Sequence, residues 1–150
     1  MRMVIQRVSR AEVRVGGETV GRIGAGLVAL VGLERGDGEE QLVGAAQRLA
    51  TLRIFSDEDG RMNRGLDEVG GAVLAVSQFT LAGSIRKGRR PSFDHALPGD
   101  QAAPLFERFL DLLRAKEGLQ VETGVFGALM DVELVNDGPI TLIWEERSNS

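Results

Sequence analysis

Two short, unbroken apolar runs limit what this chain can fold into. One extends from Leu27 to Leu33, the other from Gly70 to Val76. Both are too short for an ordinary helix, and glycines precede each. A run of this kind reads as a strand buried on both faces. The second run passes directly into Ser77-Gln78-Phe79-Thr80. Polar groups at the end of a buried strand must find partners or face a cavity. Hydroxyls, a carboxamide and free backbone groups on a rigid strand end therefore mark a candidate site.

The rest of the pattern is strand-rich. Residues 3–8 and 11–15 read as strands, the latter by alternation of Ala11, Val13 and Val15 with Glu12 and Arg14. Gly16-Gly17 is a hairpin signal before a strand at 19–23. Asp37 is placed to cap a helix through Thr51, with Leu42, Val43, Ala46 and Leu49 on one face. Residues 52–55 form a short strand, closed by the acidic turn Asp57-Glu58-Asp59-Gly60. Residues 82–98 read as a long ordered loop. A second helix follows over 100–117, with Leu105, Phe106, Phe109, Leu110, Leu112 and Leu113 at helical spacing. Further strands are expected at 121–123, 130–135 and 140–144, and a frayed tail at 147–150. Short turns between strands imply a largely antiparallel sheet. The expectation is a mixed α/β protein, residues 1–150 forming one compact domain with two main helices.

Composition narrows the chemistry. There are no cysteines, so disulfides and thiolate metal sites are out. His95 is the one histidine and lies in a loop-like stretch, so it reads as a solvated residue. A Ser-His-Asp triad has no second histidine to draw on, and no two-His metal site exists within one chain. The carboxylates are scattered, so no metal and no cofactor are expected. No apolar run approaches the roughly 20 residues of a membrane span. Charge interrupts the N-terminus too soon for a signal peptide, which fits a cytosolic protein and no membrane partner. Net charge is −4, so nucleic-acid binding must rest on a local patch. One exists at Arg86-Lys87-Gly88-Arg89-Arg90.

Each candidate carries two readings. Thr80 is a β-branched strand residue satisfying a backbone group, or a hydroxyl at a reaction centre; no base stands beside it in sequence. Ser77 and Gln78 are strand-end hydrogen bonders or substrate holders. Phe79 alternates with Gln78 and Thr80, so its side chain should pack into the core while its backbone stays near the site. Asn136-Asp137-Gly138-Pro139 is dense turn chemistry, read most simply as a tight turn between two strands. Arg7 is a strand residue, either at the surface or locking carbonyls with its five donors. The basic loop is a solvated face or a phosphate-contacting one.

Ser77-Gln78-Phe79-Thr80 and Gly138-Pro139-Ile140-Thr141, with the opening Met1-Arg2-Met3-Val4-Ile5-Gln6-Arg7-Val8, resemble the D-aminoacyl-tRNA deacylase family. Gly21-Arg22-Ile23-Gly24, Leu52-Arg53-Ile54-Phe55, the stretch from Arg86 to Phe93, and Phe126-Gly127-Ala128 extend the match over almost the whole chain, in order. The chain departs from the family at Ala82-Gly83-Ser84-Ile85, where relatives commonly carry a Tyr and a more polar stretch.

The resemblance implies that family's fold and hydrolysis of the ester joining a D-amino acid to the tRNA 3′ end. It puts Thr80, Gln78, Phe79 and Ser77 at the active site. It makes Gly138-Pro139 a cis element that each subunit of a homodimer inserts into its mate's site, and Arg7 the residue that fixes this element. A pocket that excludes L side chains by bulk admits D-amino acids and cannot readily reject glycine, so glycyl-tRNA is an implied second substrate. Thr80 attacks the ester itself, or the protein orients the substrate while the terminal ribose 2′-OH assists water; the lack of a base beside Thr80 favours the second. The basic loop at Arg86, Lys87, Arg89 and Arg90 would meet the tRNA acceptor end. Two rivals stay open: a non-catalytic RNA-binding module gripping that end, and an esterase for small acyl substrates.

Overall fold

The computed structural model describes residues 1–148. Its centre is a long strand, β1 (Arg2–Val15). The two expected strands at 3–8 and 11–15 are this one strand. Its apolar phase shifts by one residue, so Met3 and Ile5 face one core while Val8, Ala11 and Val13 face another. An irregular register between Val8 and Arg10 absorbs the shift, as a β-bulge does.

Strands β2 (Glu18–Ile23) and β3 (Gly26–Gly32) both run antiparallel to β1. Ala11 opposes Ile23 and Val8 opposes Gly26, so β2 and β3 continue one another along the same edge of β1. Helix α1 (Glu39–Thr51) follows, then the small hairpin β4 (Phe55–Ser56) and β5 (Met62–Arg64), and the short α2 (Leu66–Val69). Strand β6 (Ala72–Ser77) returns beside β3, and β7 (Gln120–Thr123) lies beside β6 after helix α3 (Gly99–Arg114). Strand β8 (Asp131–Glu145) covers the other edge of β1.

The β3–β6 and β6–β7 pairs are parallel, so the sheet is mixed rather than largely antiparallel. Those connections carry α1 and α3, and such crossovers are what parallel neighbours require. The unbroken apolar runs follow from this: β3 and β6 are covered on both faces. On one face α1 and α3 bury Leu42, Leu49, Phe109 and Leu113 against Ile5, Leu27 and Val73. On the other, the sheet curls over a smaller core of Val13, Val28, Leu74 and Val76. The curl brings β2 onto β7: a Cβ at Gly21 would lie 2.4 Å from the Thr123 carbonyl oxygen, so the architecture is barrel-like. Each fully buried Leu or Phe contributes roughly 1.5–3 kcal/mol.

Several boundaries move. Asp37 does not cap α1. Gly38 is the cap, with its N–H donated to Gln41 Oε1 at 2.8 Å, while Asp37 Oδ1 lies 2.9 Å from the Met1 ammonium. The expected strand at 52–55 starts only at Phe55. The second helix is Gly99–Arg114 rather than 100–117. The segment at 130–144 is one strand and not two joined by a tight turn, because both halves pair with β1 in the same direction. The loop at 82–98 holds, stitched by bridges Ser84 to Ser92 and Glu34 to Ala96. Of the tail at 147–150, Asn149 and Ser150 lie outside the described residues.

Candidate active site

The buried run of β6 stops at Ser77. Gln78 turns the chain out of the sheet (φ −139°, ψ 79°), and Phe79–Ala82 form a single 3-10 turn. This turn is seated from below. Gly32 of β3 leaves no room for a side chain: a Cβ there would meet Leu81 Cβ at 2.8 Å and the Gln78 carbonyl oxygen at 3.0 Å. Arg2 Nη1 reaches the Leu81 carbonyl at 3.4 Å, and Arg2 Nε lies 3.6 Å from Glu34 and from Glu145.

The break in strand geometry corrects the expectation for Phe79. Its side chain is not in the core but 57% exposed, because strand alternation ends one residue before it. It packs edge-on against Phe93, ring centroids 5.2 Å apart. Thr80 is also exposed, and its Oγ1 accepts a hydrogen bond from Gln78 Nε2 at 2.5 Å. Among the described residues, no carboxylate, imidazole or amine is hydrogen-bonded to Thr80. Nor does any described acceptor take the N–H of Phe79 or of Thr80, the first donors of the turn.

Ser77, Gln78 and Phe79 line a cleft of about 680 Å3. Its other walls are Phe93 and residues 96–99, the start of α3, and the loop at 126–130. The cleft is mainly apolar with a few polar groups at one end, the usual make-up of a small-ligand site. Thr80 stands at its rim rather than among its lining residues. The walls formed by Phe93, Leu97, Pro98, Leu129 and Met130 were not among the sequence candidates. Leu129, two residues after Gly127 in its loop, is 95% exposed.

Gly138 and Pro139 are exposed and lie elsewhere. Gln6 opposes Thr141 and Val8 opposes Asn136, so residues 137–140 bulge from β8 opposite Arg7. The Gly138-Pro139 peptide is cis, and Gly138 has φ +149°. Asn136 closes the bulge, accepting the Ile140 N–H at 2.6 Å and donating to the Ile140 carbonyl and to Thr141 Oγ1 at 3.1 Å each. Arg7 Nε donates to the Asp137 carbonyl at 2.9 Å and its Nη1 to the Ile54 carbonyl at 2.7 Å.

Within one chain this element does not meet the cleft. Ser77, Val31, Met3 and Trp144 form one row across the sheet, and Arg7 is four residues along β1 from Met3. At about 3.4 Å per residue and about 4.8 Å per strand, Ser77 and the bulge are about 20 Å apart along the sheet. Arg86, Lys87, Arg89 and Arg90 are exposed in the loop after the 3-10 turn, and among the described residues none forms an ion pair. The carboxyls whose ionisation is shifted all lie outside the cleft. The hydrogen bond from Thr19 and then Arg22 lower Glu12 to about 2; Arg108 lowers Glu39; the Arg61 backbone N–H lowers Asp57.

A 3-10 turn issuing from a parallel strand into a cleft, paired with a bulged β8, is a specific arrangement to match. The family model described as D-Tyr-tRNA(Tyr) deacylase matches residues 4–145. The chain belongs to this family. It is 58% identical to the D-aminoacyl-tRNA deacylase of Symbiobacterium thermophilum over 143 residues, 95% of this chain and 94% of that one. It is 59% identical to the protein of the same name from Thermus aquaticus, over 95% and 93% of the two chains. Against the one from Geobacter sulfurreducens it is 53% identical over 150 residues, 100% of this chain and 98% of that one. A solved structure titled c-Myc DNA Unwinding Element Binding Protein superposes with a TM-score of 0.90 at 38% identity, over 99% of this chain and all of that one. A second, described as a probable eukaryotic D-amino acid tRNA deacylase, shares the fold at a TM-score of 0.78 and 22% identity, over 95% and 97% of the chains. The deacylase-like fold expected from the sequence is therefore the fold observed.

Proposed function

We propose that this protein hydrolyses the ester of D-aminoacyl-tRNA, releasing the free amino acid and the tRNA, as a chiral check on translation. Membership of the deacylase family carries this reading. The cleft is of a size to take a nucleoside and an amino-acid end together. An aminoacyl ester is already labile, so orientation and stabilisation of the developing oxyanion suffice for catalysis. The free N–H groups of Phe79 and Thr80 are the donors for that oxyanion. Ser77 and Gln78 hold the substrate's polar edge. Thr80 positions, and the terminal ribose 2′-OH assists the attacking water.

Stereochemical selection comes from a second copy of the chain. The Gly138-Pro139 bulge is too far from its own cleft to act there, and it is exposed. None of the residues of β8 is buried, and its outer edge has no strand partner among the described residues. Val135, Leu142 and Ile143 expose 41, 41 and 72% of their surface. An open apolar edge strand of this length calls for a covering partner. In the homodimer, Gly138-Pro139 of one subunit enters the cleft of the other, Arg7 holds it, and its bulk leaves no room for an L side chain. Glycine passes the same filter, so glycyl-tRNA is a second substrate. Arg86, Lys87, Arg89 and Arg90 contact phosphates of the acceptor end, and the protein works in the cytoplasm.

The test is ester loss from D-tyrosyl-tRNA measured alongside tRNA binding across a salt series. The reading requires turnover. Salt-sensitive binding without turnover would instead describe a passive RNA-binding module.

A further inference from the structure

We propose that a second, smaller cavity beside the cleft is a phosphate subsite for the tRNA strand that enters it. This cavity, of about 250 Å3, is lined by Glu34, Arg35, Asp37, His95, Arg147 and Ser148. It is below the size that takes a drug-sized ligand or a nucleoside, and large enough for a phosphate group.

Its charges are unevenly committed. Both carboxylates are already used: Asp37 Oδ1 and Glu34 Oε1 lie 2.9 and 3.3 Å from the Met1 ammonium, and Asp37 Oδ2 accepts the Glu34 N–H at 2.7 Å. The donor side chains are less committed. Arg35 spends only its Nε, on the Asp94 carbonyl at 3.0 Å. Arg147 and the His95 ring have no hydrogen-bond or ion-pair partner among the described residues. Three exposed donor side chains thus face one small polar space in which both Asp37 oxygens and Glu34 Oε1 are already engaged. Guanidinium groups in that state suit the oxygens of a phosphate.

The position of the cavity ties it to the cleft. Arg35 lines both. The wall between them is a short pairing of two segments, with the Arg35 N–H donated to the His95 carbonyl at 2.9 Å and the Leu97 N–H to the Leu33 carbonyl at 3.0 Å. Leu33, Ala96 and Leu97 face the cleft, and Glu34 and His95 face the second cavity. A strand whose terminal nucleoside occupies the cleft would place its preceding phosphodiester at this wall. The inference rests on the deacylase reading and adds to it a contact set apart from Arg86–Arg90 in sequence.

The test compares wild type with a double variant, His95→Gln with Arg147→Gln, on two substrates. One is D-tyrosyl-tRNA. The other is the 3′-D-tyrosyl ester of adenosine, which has no phosphodiester. The expected result is a KM for the tRNA raised about tenfold at unchanged kcat, a salt dependence shallower by about one charge, and an unchanged KM for the adenosine ester. Equal loss on both substrates, or no change on the tRNA, overturns the proposal while leaving deacylation standing. So does a variant that only loses inhibition by inorganic phosphate, which would assign the cavity to a free anion. A wild-type protein that cleaves neither ester overturns the deacylase reading and this inference with it.

Discussion

Gln78 Nε2 donates a hydrogen bond to Thr80 Oγ1 at 2.5 Å. A carboxamide N–H donates a hydrogen bond to the hydroxyl oxygen and cannot serve as its base, so the proposed role of Thr80 is positioning rather than attack. No aminoacyl-protein should therefore accumulate during turnover. Rapid quenching followed by intact-mass spectrometry checks this, and a mass increase on the peptide containing Thr80 would contradict it. Thr80→Ser keeps the hydroxyl, and kcat should stay within about tenfold, equal to about 1.4 kcal/mol in the barrier.

Gly32 sets the height of the 3-10 turn at Phe79–Ala82. In Gly32→Ala the new methyl would press on Leu81 and on the Gln78 carbonyl. Overpacking of this kind costs roughly 1–3 kcal/mol. The variant should melt several degrees lower, and kcat should fall at least tenfold as Phe79 and Thr80 shift. Unchanged kcat with a lowered melting temperature would separate the turn's seat from its function.

Much of this was legible in the sequence, and the gaps have physical causes. The buried runs of β3 and β6 declared themselves because both their faces are covered, and α3 because its apolar face repeats at helical spacing. Parallel pairing was not legible, since a strand covered on both faces has the same composition in either direction. Phe79 was misread because alternation holds only while the backbone stays extended, and Gln78 ends it. Gly138-Pro139 has the composition of a tight turn, and only its pairing with β1 on both sides reveals a bulge within one strand. The Ser77–Thr80 motif could be placed at a strand end from sequence, but the cleft walls come from segments distant in sequence that share no local signal.

The exposed face of β8 should hold the protein as a dimer. Ile143→Lys puts a charge at the most exposed apolar residue of β8, near its C-terminal end, and leaves the single chain's core untouched. Light scattering should give the mass of one chain, 16.2 kDa, where wild type gives twice that. D-aminoacyl-tRNA cleavage should fall by at least tenfold, because each cleft then lacks the other copy's Gly138-Pro139. A monomeric wild type with full activity would contradict the shared site.

Glu12 gives the fold a defined acid dependence. It accepts hydrogen bonds from Thr19 Oγ1 at 2.9 Å and Arg22 Nη2 at 3.0 Å, which lower its pKa from 4.5 to about 2. A carboxyl with a lower pKa folded than unfolded stabilises the fold above the unfolded value and loses that contribution as pH falls through the folded one. Glu12→Gln should therefore melt below wild type at neutral pH. The gap should narrow from about pH 4.5 downward and close near pH 2. Melting curves across that range test it; a gap independent of pH would show that the carboxylate's charge does not matter.

The central claim is a filter that works by excluding L side chains. Matched D-tyrosyl-, L-tyrosyl- and glycyl-tRNA, incubated with the same preparation and followed for ester loss, test it most directly. The account predicts cleavage of the D-tyrosyl and glycyl esters and survival of the L-tyrosyl ester. Comparable cleavage of the D and L forms, or a glycyl ester that persists while the D form is lost, would contradict it.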